Sequence, residues 1–174
     1  NQFKKSFVLD RDSTDDFFEW GGLRYFLMNY EAKLQPHKTI TFDKISLSRQ
    51  EVKSGDYLSV EHIWARKNRK DENNRNEDSI EKRRLGNFVL LELRINIQGS
   101  DDGLEKKLPR YLNGENDEPP TDLAQVRKMG EDAKEELKSR ESKYRSKNYY
   151  TELHWALNNR QEKRYTEFAE ERWS

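Results

Sequence analysis

The segments YLSVEHIW, residues 57–64, and LGNFVLLEL, residues 85–93, stand out in the middle of a polar chain. The first segment predicts a strand, because every second residue of a strand shares a face. Its two predicted faces are Leu58, Val60, His62 and Trp64 on one side and Ser59, Glu61 and Ile63 on the other. The second segment is an apolar run that predicts a strand, or a strand and turn, entering a helix. Together they predict a small β element at the centre of the molecule.

The segments around this β element have mostly helical patterns. Predicted helices cover residues 15–34, 94–108, 121–147 and 149–173, and one more strand is predicted at residues 38–46. In the first of these segments, Gly21-Gly22 marks the start of the helix or a break just before it. The apolar stripe of the first helix comprises Leu23, Phe26, Leu27, Tyr30 and Leu34. In the last helix the residues predicted to face inward are Leu153, Leu157, Phe168 and Trp173. We therefore predict a mostly α-helical α+β fold, with helices flanking the small β core at both ends.

The length and the sequence patterns predict the domain organisation of the chain. Its 174 residues suit one domain. We predict a lead-in over residues 1–56, a core over residues 57–108 and C-terminal helices over residues 109–174. The first residues, Asn-Gln-Phe-Lys-Lys, include neither an initiating Met nor an apolar leader. We interpret the chain as a piece of a longer, cytoplasmic bacterial protein.

Composition excludes several classes of protein. Charged residues make up 38% of the chain and hydrophobic residues 32%, so the chain is more polar than an average globular domain. No apolar run approaches the roughly 18 residues of a membrane span. The chain has no Cys, which excludes disulfide scaffolds, thiolate zinc sites and cysteine nucleophiles. Aromatic residues at 11% supply large apolar surfaces, so high polarity does not imply disorder.

Three histidines are available for chemistry, and His62 has the most unusual neighbourhood. His37 lies beside Pro36 in a turn-like stretch and is predicted to be a solvated loop residue. His154 lies beside Trp155 in the last helix and is predicted to be a packing residue. His62 instead follows Glu61 on the predicted strand and precedes a basic loop at residues 66–84.

Two asparagines in apolar surroundings strengthen the case for His62. Asn87 follows Leu85-Gly86, and Asn96 lies in the segment that follows the second strand. Asparagine is unfavourable inside strands and helices because its amide competes for backbone hydrogen bonds. Either residue alone could be a turn or surface position, but two of them in one hydrophobic unit suggest a function.

The order Glu61-His62, a variable loop, Leu85-Gly86-Asn87 and then Asn96 resembles the HNH endonuclease motif, a ββα-metal finger. More narrowly, the segments VEHI, RLGNFVLL and RIN are similar to the HNH domain at the C-terminus of GmrSD-type restriction enzymes. Such a domain also occurs in nucleases of phosphorothioate-dependent defence systems. Outside the core, the segment RYFL at residues 24–27 and the helix from Arg160 to Trp173 resemble further parts of the family pattern.

The resemblance implies a catalytic role for each motif residue. His62 would be the general base that accepts a proton from water, and Asn87 would orient its imidazole. Glu61 and Asn96 would be ligands of a divalent cation, and their oxygen atoms suit Mg²⁺ or Mn²⁺ better than zinc. On a regular strand, however, Glu61 and His62 face opposite sides, so a shared site requires a twisted or bulged strand end.

Basic residues near the motif are predicted to contact DNA phosphates. Two clusters flank the predicted cleft, and two further lysines match the end of the family pattern. The predicted contacts are Arg66, Lys67, Arg69, Arg83, Arg84, Lys106 and Lys107. The alternative is a solvated loop whose cations pair with nearby carboxylates, because acidic residues dilute the charge.

We therefore expect a metal-dependent DNA endonuclease domain, the effector module of a bacterial anti-phage restriction system. The resemblance implies modified phage DNA as substrate, and a nucleotide-binding sensor domain or subunit that this chain does not contain. One alternative is a catalytically inactive module for binding nucleic acid or protein. Another is an HNH domain that cleaves RNA.

Overall fold

The computed structural model describes residues 16–45, 57–65, 80–99, 102–115, 117, 119–141 and 149–173. Its helices are α1 (Leu23–Leu34), α2 (Ile80–Arg83), α3 (Leu93–Gly99), α4 (Leu104–Asn113), α5 (Ala124–Ser139) and α6 (Tyr149–Trp173). Its strands are β1 (Leu58–His62) and β2 (Phe88–Glu92), and 3₁₀ turns lie at Phe17–Glu19, Phe42–Lys44 and Leu85–Asn87. A mostly helical α+β fold is thus confirmed. Among the helices in these ranges, none has the length and hydropathy of a membrane span.

The two strands pair antiparallel in a regular register. The pairing runs without interruption from Leu58 opposite Glu92 to His62 opposite Phe88. The 3₁₀ turn that contains Asn87 leads directly into β2, so the ends of the strand pair bring His62 and Asn87 together.

Strand β2 is buried along its whole length and forms the centre of the core. Side chains from the surrounding helices satisfy backbone groups of β2 that do not pair with β1. Gln125 of α5 accepts a hydrogen bond from the Leu90 amide at 3.0 Å, and the Tyr165 hydroxyl of α6 donates to the Phe88 carbonyl at 2.7 Å. A buried strand edge is costly unless such groups find partners, so these two bonds allow helices to enclose the small sheet.

Strand β1 confirms the predicted alternation, but its polar face is the more deeply buried one. Ser59 and Glu61 are buried, whereas Val60 and His62 are half-buried. The polar face packs toward α3 and α4, which supply hydrogen-bonding partners. A buried polar group is tolerated when its hydrogen bonds are made. The pattern of polar and apolar residues alone therefore could not show which face of β1 lies inward.

The strand predicted at residues 38–46 is wrong. The chain forms a 3₁₀ turn at Phe42–Lys44, and in the described part of this segment Ile45 alone bridges to β1, opposite Leu58. Ile45 is buried but Phe42 is exposed, so the alternating residues share no buried face.

The helices match their predicted positions with three differences. Helix α1 begins at Leu23, directly after Gly21-Gly22, where the sequence predicts its start or a break, so the first residues of the predicted range lie outside the helix. The helix predicted at residues 94–108 is divided into α3 and α4, and α4 continues past the core boundary predicted at residue 108. Trp173 was predicted to face inward but is 44% exposed, although its ring contacts Phe168. The three-part division of the chain stays a prediction.

Candidate functional site

His62 lies at the end of β1, between two aromatic rings. The centroid of its imidazole is 4.8 Å from the ring of Phe88, its partner in the strand register, in an edge-on arrangement. It is also 4.8 Å from the ring of Phe18, which is 41% exposed. The half-buried imidazole is therefore held by packing between these two rings, and its Nε2 atom is buried.

Asn87 is completely buried and binds the backbone that follows His62. Its side-chain oxygen accepts a hydrogen bond from the Trp64 amide at 2.7 Å, and its side-chain nitrogen donates to the Trp64 carbonyl at 3.1 Å. The backbone carbonyl of Asn87 accepts from the Ile63 amide at 2.9 Å. Asn87 is predicted to orient the imidazole, and in the structure these three bonds hold the backbone of Ile63 and Trp64, the two residues after His62.

Helix α6 fixes the turn that carries Asn87. Arg84 donates to Glu162 of α6 through Nε at 3.0 Å and to Glu81 through Nη1 at 2.9 Å. Arg84 is only 7% exposed, so its predicted contact with DNA does not agree with its position. Burial alone would lower the pKa of this guanidinium, but the hydrogen bonds and charges of Glu162 and Glu81 raise it.

Glu61 and Lys107 form a buried ion pair behind the strand. Lys107 Nζ lies 2.5 Å from Glu61 Oε1, which also accepts from the Tyr111 hydroxyl at 2.7 Å. The same ammonium donates to the carbonyl oxygen of His62 at 2.8 Å. Lys107 has no exposed surface, so its predicted contact with DNA is wrong in this arrangement, whereas the neighbouring Lys106 is exposed.

Asn96 lies on the same face of β1 as Glu61. Its side-chain nitrogen donates to Ser59 Oγ at 2.8 Å, and the residue is almost completely buried. The predicted metal ligands therefore occupy the polar face of the strand, and the adjacent residue His62 projects to the other face. The regular pairing through His62 and Phe88 does not supply the twisted or bulged end that a shared site requires.

The predicted ligands, Glu61 and Asn96, are both buried and hydrogen-bonded within the protein in this arrangement. Glu61 and Asn96 have suitable oxygen donors for Mg²⁺ or Mn²⁺. The Glu61 carboxylate, however, already has the Lys107 ammonium as its counter-charge. Across the described ranges, no group of three or more His, Asp or Glu residues could hold a metal ion.

His154 packs beside the end of β1, as the sequence predicts. Its imidazole stacks on Trp64, with ring centroids 4.3 Å apart and an interplanar angle of 12°. Burial, with smaller contributions from the charges of Lys107 and Lys82, lowers the pKa of His154 to about 3. A neutral, buried ring stacked on Trp64 supports the segment that Asn87 binds.

The remaining predicted DNA contacts lie in two places. Arg83 is half-buried at the end of α2, and Lys106 is exposed on α4, near Asp102. Arg66, Lys67 and Arg69 lie outside the described residues.

Tyr111 is a site residue that the sequence interpretation missed. The signal is the apolar face of α4, where Leu104, Leu108 and Tyr111 follow helical spacing and Lys107 lies among them. A lysine on the apolar face of a helix requires a buried acceptor.

The chain was compared with known proteins. A family model described as the C-terminal domain of GmrSD restriction endonucleases matches residues 3–163. A search of curated proteins found no match, and neither did a search of solved structures.

Proposed function

The chain belongs to the family of GmrSD restriction endonuclease C-terminal domains, and we propose that it is an HNH-type nuclease domain that hydrolyses phosphodiester bonds in DNA. The observation that carries this proposal is the position of His62. It is half-buried at the end of β1, and the Asn87 turn binds the two residues that follow it. His62 combines partial exposure with a fixed backbone, whereas His154 is buried against Trp64.

His62 would act as the general base. Histidine changes its charge near neutral pH, so a neutral imidazole can accept a proton from the attacking water. Phe18 and Phe88 restrict the ring on both sides, and Asn87 fixes the backbone beyond it. These contacts would hold the base in position without a hydrogen bond from Asn87 to the imidazole.

Metal dependence is a second part of the proposal. Negative charge develops on the phosphate oxygens during hydrolysis, and a divalent cation can offset it. Glu61 and Asn96 carry suitable donor atoms, but Glu61 would have to exchange Lys107 for the cation. A requirement for Mg²⁺ or Mn²⁺ would therefore imply a rearrangement on the polar face of β1.

The substrate and partners follow from the family. We propose phage DNA, with or without modified bases, as the target, and a nucleotide-binding sensor domain or subunit as the partner, in the bacterial cytoplasm. Exposed Lys106 and half-buried Arg83 are the described cations that we propose for phosphate contacts, and Arg66, Lys67 and Arg69 are proposed from sequence. Such contacts would position DNA without reading its sequence.

Nicking of supercoiled plasmid tests the proposal. The protein is incubated with plasmid or with a structured RNA, in Mg²⁺, in Mn²⁺ and with a chelator. We expect nicked plasmid with either metal, no product with the chelator and intact RNA. Cleavage of RNA alone would favour the RNA-specific alternative, and plasmid binding without nicking would favour an inactive binding module. Nicking that persists with the chelator would reject the metal requirement alone.

A further inference from the structure

Lys107 places a positive charge in the interior directly behind the candidate base. Its side chain has no exposed surface, and its ammonium touches two consecutive residues of β1. It lies 2.5 Å from Glu61 Oε1 and 2.8 Å from the carbonyl oxygen of His62. The ammonium thus joins helix α4 to the residue that carries the base.

Such an arrangement is costly to form. A buried ammonium loses its hydration and is tolerated only when it is paired and hydrogen-bonded. A packed hydrophobic pair of similar volume often gives equal or greater stability, so a buried ion pair is weak evidence for a stabilising role. The second acceptor of Lys107 is informative because of its position: it is the backbone carbonyl of His62 itself.

The backbone around His62 is held from two sides. Asn87 binds Trp64 and Ile63, which follow the histidine. Lys107 binds the carbonyl of the histidine itself. A fixed carbonyl restricts the ψ angle of His62 and thereby the backbone that carries the imidazole, so both contacts limit where the ring can point.

We propose that Lys107 is a positioning residue of the nuclease site: its ammonium fixes the end of β1 through the His62 carbonyl and the Glu61 carboxylate. This inference rests on the proposed function, since it assigns the base to His62. If Lys107 positions the base, replacing Lys107 should lower the rate of the chemical step. DNA affinity should not depend on it, because a residue without exposed surface cannot reach a phosphate.

Three variants separate positioning from stabilisation. Lys107→Met keeps similar length and removes the charge, Glu61→Gln removes the partner's charge, and the third variant combines both. Lys107→Met should be destabilised, because the Glu61 carboxylate remains buried without its counter-charge. The double variant has no buried charge left, so it should recover most of the stability lost in Lys107→Met and gives a folded protein for the assay.

The measurements are kcat and KM for plasmid nicking, together with the midpoint of urea unfolding. We expect the double variant to nick at least tenfold more slowly than Glu61→Gln, with KM unchanged. Lys134→Met removes an exposed charge on α5 and should nick at the wild-type rate.

Two results would overturn the inference. If the double variant nicks as fast as Glu61→Gln, Lys107 only balances the charge of Glu61. If KM rises and kcat does not change, Lys107 acts through DNA binding. A wild-type protein that does not nick, or that nicks without His62, would instead reject the proposed function itself.

Discussion

At Gly86 the chain has room for a hydrogen atom and nothing larger. A β-carbon at this position would lie 2.7 Å from the Cα of Asn158 and closer still to its carbonyl oxygen, both in the backbone of α6. Backbone atoms inside a helix cannot move aside as a flexible side chain can. Gly86 therefore allows α6 to pack against the turn that carries Asn87.

Gly86→Ala should destabilise the protein by about 1–3 kcal/mol, the usual cost of forcing an extra carbon into a packed site. Gly21→Ala is the matched control, because a β-carbon there would meet no heavy atom within 4 Å. Urea unfolding of both variants against wild type measures the difference. Equal midpoints for Gly86→Ala and Gly21→Ala would contradict the packing described for α6.

His154 predicts a loss of stability at mildly acidic pH. Its pKa is lowered to about 3 in the folded protein, so the unfolded chain, with a pKa near 6.5, binds the proton first as the pH falls. Stability is therefore complete above pH 6.5 and decreases below it. Between pH 7.5 and 5.5 this residue should cost about 1.4 kcal/mol.

His154→Phe keeps an aromatic ring against Trp64 and removes the titrating group. Urea unfolding of this variant should depend less on pH between 7.5 and 5.5 than that of wild type. Parallel pH dependence of the two proteins would show that the pKa of His154 is not lowered in the folded state.

At the scale of elements, one buried ion cluster helps to fix α6 to the turn that carries Asn87. Arg84 connects the turn to Glu162, and it also binds Glu81 at the start of the same segment. A second set of ion pairs joins α6 to α5 and is more exposed. In it, Arg160 of α6 binds carboxylates of α5, including Glu135, and its side chain is 36% exposed. Burial distinguishes the two sets of ion pairs, because solvent weakens the exposed one.

Arg84→Met should therefore cost about 3–5 kcal/mol, since it leaves two buried carboxylates without their partner. Arg160→Met should cost less than about 1 kcal/mol. Chemical unfolding of both variants gives the comparison. If both variants lose the same small amount, Arg84 is solvated in solution and its predicted role in DNA contact is open again.

The elements that could be predicted from sequence are those with a periodic apolar pattern. Helices α1 and α6 and both strands follow from such patterns, and the motif order correctly joined His62 to the Asn87 turn. The burial of Lys107 is indicated by the apolar face of α4, but its partner Glu61 and the Glu162 partner of Arg84 could not be predicted, because they lie far away in the sequence. Three of the residues assigned to metal or DNA are therefore paired inside the protein instead.

At the scale of the whole molecule, charge is balanced. The chain has 33 basic and 33 acidic residues, so its net charge gives no long-range attraction toward DNA. Many of the described charges pair with each other within the fold, as Arg84 and Lys107 do. Under the proposed function, local groups of cations and the proposed sensor partner must then bind the DNA. The site around His62 would cleave it.

The most direct test of this account compares plasmid nicking by wild type, His62→Ala and His37→Ala. His62→Ala should lower the rate by about 10²–10⁴-fold, the usual contribution of a general base. His37→Ala removes an exposed histidine outside the site and should nick at the wild-type rate. Circular dichroism of each variant checks that the fold is kept. Nicking by folded His62→Ala at the wild-type rate would contradict the assignment of His62 as the base.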